Sequence, residues 1–478
     1  MLPKTSVSFT VDDPALQKLY DAASEKCLHN LQLFGKDTVL VEGGGYEKIW
    51  LETQPMGGEM YAKRHMEAAR NNHLLFMRTQ REDGRLAGSI QCMEDGGIEA
   101  QFNKFQGFCF PWSALNMYYW LGQDSAYLDQ LARTLEAFDA YLWRVRDSDG
   151  DGCLESWCVY DTGEDNALRY GDAPVYCTED VPPEGYAVVP MASMDVMSFS
   201  YACRDTLAEI SLIRGDGQHA RWQKAAQDVA AAMKERLWRE DKGACYDRDK
   251  NGNVVPVLVH NNLRCMYWGS FSQEMADRFI SRHLLRPEAF WTPLPLPSVA
   301  ADDPAFRNAP ENNWSGQCEG LTYQRAILAL ERYGYEPLVT RLGHRLFEAV
   351  IQGGYVFTQQ FDPFTGEPSR VSPVTKCPLP PDSHEPCQDA YGPTLLAVLE
   401  YMAHIWGVTL HRDRLWFSLG SGHTYTYEQE WNSHRYRIES NGREASVFFD
   451  GVETLRSACG ARLITDLQGR LLEKRPIE

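Results

Sequence analysis

Amphipathic segments of helical period follow one another in pairs through the first four hundred residues of this 478-residue chain. They lie at Asp13–Leu33, Gly57–Arg81, Ser125–Asp147, Ser193–Arg214, Gln218–Trp238, Gly316–Tyr333, Glu336–Ile351 and Ala390–Ile405. In the third, Leu131, Leu135, Phe138, Leu142 and Val145 step by three or four and so share one face. An element with a single apolar stripe must cover it with another element. The succession therefore predicts an all-α-dominated body of about twelve helices. No repeat of fixed period runs through it, which argues against an interaction solenoid.

From about His411 the texture changes to short alternating runs, among them Leu415–Leu419, Tyr425–Tyr427, Tyr436–Ile438 and Ser446–Phe449. Asn441-Gly442 and Asp450-Gly451 stand between such runs, and these pairs favour tight hairpins. Two units follow: a helical domain over 1–409 and a small β appendage over 410–478. Long irregular segments at 148–190, 239–270, 284–315 and 352–388 are rich in Trp, Tyr and Pro and read as ordered functional loops.

Acidic residues outnumber basic ones 66 to 47, a net charge of −19, which disfavours nucleic acid and anionic membrane as partners. Neither a secretory leader nor a membrane-spanning run is visible. Thirteen cysteines without paired spacing predict free thiols in the cytoplasm, and Cys153 with Cys158 lacks the partners of a zinc site. The 13 Trp, 23 Tyr and 20 Phe exceed the needs of a core and suit stacking on sugars. A small-molecule carbohydrate is the expected ligand; the oligomeric state is open.

Asp147, Asp149, Asp151 and Glu155 occupy positions 1, 3, 5 and 9 around Gly152 at position 6, the oxygen spacing of a calcium loop. Position 12 is Cys158 rather than Glu, so a structural calcium competes with a plain turn capped by aspartates. No cofactor is required. Immediately downstream, Asp161, Glu164, Asp165 and Arg169 crowd one loop, where burial and like charge could raise a carboxylic acid into the range of a general acid.

The run Thr162-Gly163-Glu164-Asp165-Asn166-Ala167-Leu168-Arg169 resembles the Ser-Gly-Trp-Asp-Asn-Ser-x-Arg stretch of glycoside hydrolase family 63 and its mannosylglycerate-hydrolase-like relatives. Trp50-Leu51-Glu52-Thr53 is similar to that family's Trp-x-Asp-Ser/Thr. Similar elements follow in order at Gln80–Leu86, Arg146–Gly152, Leu237–Asp247 and Trp314–Gly316. The resemblance implies an (α/α)6 toroidal barrel and an inverting α-glycosidase on a short gluco- or manno-configured glycoside. It matches Asp165 to the general acid, with Arg169 in register. Glu164 replaces the family Trp.

The stretch Gln359-Gln360-Phe361-Asp362-Pro363 resembles the family's Glu-x-Tyr/Phe-Asp-Pro, whose Glu is the catalytic base, and here that position is Gln359. A neutral amide cannot deprotonate water. Three readings stand: an introduced Glu→Gln change; another carboxylate as base, from Glu319, Asp362, Glu385 or Asp389; or phosphate as the attacking group. A silent carbohydrate-binding protein is the rival from another class. Trp50, Glu52, Trp112, Arg169, Trp314, Glu319 and Tyr391 are the candidate substrate contacts. Gly43-Gly44-Gly45 lacks the frame of a nucleotide loop. Met191–Met197 reads as helix packing, and His384 as a solvated loop residue.

Overall fold

The computed structural model describes residues 2–380 and 382–478. Twelve α-helices are present among them. In chain order these are α1 (Pro14–Leu28), α2 (Gln54–Tyr61), α3 (Met66–Arg78), α4 (Pro111–Trp120), α5 (Ser125–Val145) and α6 (Met194–Arg214). Then come α7 (His219–Arg236), α8 (Asn261–Trp268), α9 (Gln273–Phe279), α10 (Gly320–Glu331), α11 (Glu336–Gln352) and α12 (Gly392–Trp406). The segment expected as one helix at Gly57–Arg81 is the pair α2 and α3, and α4, α8 and α9 are short helices that weak periodicity concealed.

The even-numbered helices touch in cyclic order: α2 on α4, α4 on α6, α6 on α8, α8 on α10, α10 on α12, and α12 back on α2. Burial follows this order. Every residue of α10 is buried, and α12 is buried except at His404. By contrast α11 buries Leu338, Val339, Leu342, Leu346 and Val350 on one stripe and leaves Arg341 and Arg345 outside. A helix that is apolar all round belongs between neighbours, and an amphipathic one belongs on the outside. Caps mark the ends: Asp13 and Asp124 accept from the first amides of α1 and α5, and Gly215 closes α6 at φ 64°.

The C-terminal strands form two antiparallel sheets. One runs Val408–His411, Arg414–Leu419, Ala461–Asp466, Leu471–Pro476; the other is Thr424–Trp431, His434–Asn441, Glu444–Phe449, Val452–Ala458. Their faces meet at Phe417, which contacts the rings of Tyr436 and Phe449. Asp450-Gly451 turns with both φ values positive, 48° and 85°, as a type I′ hairpin requires; at Asn441-Gly442 only the glycine is positive. The N-terminal strand Thr5–Val11 completes the second sheet along Thr424–Trp431. A boundary at 409 therefore separates strands that the fold joins. No helix among the described residues is long and apolar enough to cross a membrane, and all thirteen cysteines are free. Met191, Met194 and Met197 are core residues, and His384 is exposed.

Candidate active site

The loop carrying Asp165 is anchored on both sides by buried charge. Arg146, held between the rings of Phe105 and Trp157, donates to Asp161 at 2.6 Å, and Asp161 also accepts from the amides of Phe105 and Trp157. Glu164 accepts from Arg169 Nε (3.2 Å), from Asn261 (3.2 Å) and at 2.9 Å from His260 Nε2, whose Nδ1 meets Thr322. Arg169 in turn pairs with Asp247 and Asp195. Glu164 and Arg169 are thus structural, and Arg169 is not a substrate contact. The Arg169 guanidinium and the His260 hydrogen bond hold the Glu164 carboxyl well below its ordinary range against the cost of burial.

Asp165, next in the chain, points the other way. It lines a pocket whose outer part is about 450 Å³, walled by Tyr46, Trp50, Tyr160, Tyr176 and Trp314. Its one side-chain hydrogen bond among the described residues is a long 3.4 Å contact from Gln106 Nε2. Burial, and then the charge of Glu52, raise its carboxyl from 3.8 to about 7. Asn166 pins this wall to the next loop: it donates to Asn313 Oδ1 and accepts from Trp314 N at 3.0 Å.

The pocket narrows to an inner chamber lined by Glu42, Glu52, Asp165, Gln359 and Tyr391, with Trp50 and Trp314 at its sides. Glu52, between the strand Lys48–Trp50 and α2, is bound by Arg325 and by Arg264 at 3.4 Å, so it is a fixed anion that can orient hydroxyls. At Gly163 (φ 76°) a β-carbon would lie 2.1 Å from Glu52 Oε2, which is why the turn before Asp165 requires glycine. The Gln359 side-chain oxygen accepts from Tyr46 Oη at 3.0 Å, and its backbone N–H donates to Gln388 Oε1 at 2.9 Å. The Gly43–Gly45 triplet, all at positive φ, makes the turn that presents Tyr46.

Trp50, Glu52, Asp165, Trp314, Gln359 and Tyr391 therefore converge, as the sequence led us to expect. Others do not. Trp112 packs on His411 and under Arg412 in a separate cavity against the C-terminal half of α6 and the end of α10. The pocket's Trp314 lies just before the N-terminus of α10, and eleven helical steps from Gly320 to Glu331 are about 16 Å. Glu319 is fully buried, accepts from Asn313 at 3.0 Å and supports the wall from behind. Asp362 caps its own turn, Asp389 pairs with Lys26, and Glu385 is exposed; none lines the pocket. Asp147, Asp149 and Asp151 cluster with their oxygens within 4.8 Å of one another, but Glu155 turns inward to Ser148 and Trp157. The candidate cation turn thus has three carboxylates rather than four. Glu42, Tyr46, Gln106 and Tyr160 also line the chamber without having been expected there; the run Glu42-Gly-Gly-Gly-Tyr46 just ahead of Trp50 was the available signal for the first two.

Residues 59–376 match the family described as the mannosylglycerate hydrolase MGH1-like glycoside hydrolase domain. Among solved structures, the fold is similar to glycoside hydrolase family 63 mannosylglycerate hydrolase from Thermus thermophilus in complex with glucose. That match has TM-score 0.62 and 16% identity, covering 80% of this chain and 99% of that one. Neutral trehalase Nth1 from Saccharomyces cerevisiae aligns at TM-score 0.55 and 14% identity over 77% and 74% of the two chains. An α-L-rhamnosidase from Dictyoglumus thermophilum reaches TM-score 0.57 at 10% identity, covering 93% of this chain and 44% of that one. No curated protein sequence matches the chain.

Proposed function

The chain belongs to the mannosylglycerate hydrolase MGH1-like glycoside hydrolase family, and from that membership we propose an inverting glycosidase acting on a short α-linked gluco- or manno-configured glycoside. The cyclic order of α2, α4, α6, α8, α10 and α12 supports an (α/α)6 barrel, with the pocket at the N-terminal ends of the ring. Asp165 is the general acid. The observation that carries the reading is its setting: a carboxyl in no ion pair among the described residues, raised to about 7 by burial against the weaker pull of Lys104, at the floor of an aromatic-walled pocket.

A carboxyl poised there is half protonated at neutral pH and can deliver its proton to a departing glycosidic oxygen. Trp50 and Trp314 line the pocket and supply apolar surface for the C–H side of a sugar, while Glu52, fixed by two arginines, accepts from its hydroxyls. The mechanism needs no metal or cofactor; calcium at Asp147, Asp149 and Asp151 would be structural. The free thiols support a cytoplasmic setting.

The test is a screen of α-glycosides with the purified chain, reading the anomer of the first-formed product by NMR. Inverted product from the wild type, lost in Asp165→Asn, supports the proposal. Retained hydrolysis in that variant removes the acid assignment. The neutral Gln359 favours one second reading, phosphorolysis, which phosphate-dependent release of a sugar 1-phosphate would select.

A further inference from the structure

Inversion needs a carboxylate on the face of the sugar opposite the acid, about 6.5–9.5 Å from it, to take a proton from water. Gln359 lacks that capacity, which leaves the other charged groups that open into the inner chamber. Glu52 is spoken for by two guanidiniums, and Glu319 has no exposed surface. Glu42 remains.

Resting on the glycosidase reading, we propose that Glu42 is the catalytic base, taking the role that a carboxylate at position 359 would otherwise fill. Three observations carry it. Glu42 lines the same inner chamber as Asp165 and Gln359. It belongs to the Gln359 wall: Gly392 N donates to the Glu42 carbonyl at 2.6 Å, Tyr391 N to the Phe357 carbonyl at 2.9 Å, and the Tyr46 ring meets Tyr391 edge-on at 6.2 Å. Asp165 is tied to the other wall through Asn166 and Trp314. Finally, Glu42 makes one side-chain hydrogen bond, accepting at Oε1 from Tyr391 Oη at 3.0 Å, and forms no ion pair among the described residues. Its second oxygen is left for a water.

Chemically, the water oxygen bonds to the anomeric carbon, its proton passes to Glu42, the glycosidic C–O bond breaks, and the Asp165 proton goes to the departing oxygen. Burial, and then the charge of Glu52, raise the Glu42 carboxyl as they raise that of Asp165, and the Tyr391 hydrogen bond works against them. Tyr46, bonded to Gln359, completes the wall against which the water sits.

The experiment uses the full chain and an α-glycosyl fluoride of the sugar chosen by the screen, because fluoride leaves without strong protonation. Glu42→Gln is expected to lose 10²–10⁴-fold in kcat with KM and calorimetric binding of the sugar little changed, whereas Asp165→Asn loses less than tenfold on this substrate. Azide, which needs no deprotonation, is expected to restore turnover of Glu42→Ala at least tenfold and to give the inverted glycosyl azide. Gln359→Glu is expected to change kcat less than tenfold. Glu42→Gln keeping more than a tenth of wild-type kcat on the fluoride overturns the assignment. So does a rise of several powers of ten in Gln359→Glu, which carries the test alone should Glu42→Gln not fold. A wild-type chain that hydrolyses no α-glycoside and no fluoride sinks the glycosidase reading itself, a result distinct from either.

Discussion

Burying Asp165 costs the fold stability whenever that carboxyl is ionised, and the cost can be measured separately from catalysis. Its carboxyl rises from 3.8 to about 7, with burial first among the causes. That displacement is a factor of about 10³ in proton affinity, or about 4 kcal/mol. The sign follows from proton binding. Between pH 3.8 and 7 the native state holds a proton that the unfolded chain has released, so raising the pH through this window draws stability away. Below it both states are protonated and the cost vanishes; above it the cost is constant.

Asp165→Asn keeps the shape and removes the charge. It is expected to stabilise the protein by about 3–4 kcal/mol at pH 8 and by less than about 1 kcal/mol at pH 4. With an unfolding entropy of about 2.1 cal/mol/K per residue, a 478-residue chain melting as one unit gains about 3–4 °C at pH 8. The assay is a pair of thermal melts, variant against wild type, at each pH, so that other titrating groups cancel. An equal shift at both pH values, or a variant less stable than wild type at pH 8, refutes the reasoning. The same carboxyl sets the alkaline limb of activity, with kcat/KM falling through a midpoint near pH 7.

Glu164→Leu leaves Arg169 facing Asp195 and Asp247 without its third anion; such a break in a buried ion network is expected to cost about 3–5 kcal/mol, read as a lower melting point or loss of soluble protein. Trp314→Ala removes a pocket wall and is expected to raise KM about tenfold with a smaller change in kcat. Trp112→Ala, at the far end of the ring, is expected to lower stability by about 2–4 kcal/mol and leave KM unchanged; a raised KM would place it in the pocket after all. Calcium at millimolar concentration is expected to raise the melting midpoint through Asp147, Asp149 and Asp151 without altering kcat, and no rise removes that site.

Much of the site was legible because its residues sit in short runs whose local chemistry is distinctive. The run Thr162–Arg169 marks the loop of Asp165, and Gln359 marks the anomaly, from local sequence alone. Glu42 escaped because the run Glu42–Tyr46 signals a turn but not a site, and its partner Tyr391 lies 349 positions away. Arg169 and Glu319 illustrate the converse error. Both are charged residues in the right loops, yet one holds Glu164 and the other holds Asn313, and sequence spacing carries no information on which way a side chain turns.

The sequence by itself determined the paired helices, the β region and its hairpin at Asp450-Gly451, and the loops from which a proton donor would come. These depend on periodicity and turn chemistry, which act over a few residues. Only the tertiary structure decided that Thr5–Val11 joins the C-terminal sheet, that Trp112 faces the opposite end of the ring, and that Glu42 stands on the Gln359 wall. Each of these is a long-range pairing made when packing closes the chain on itself.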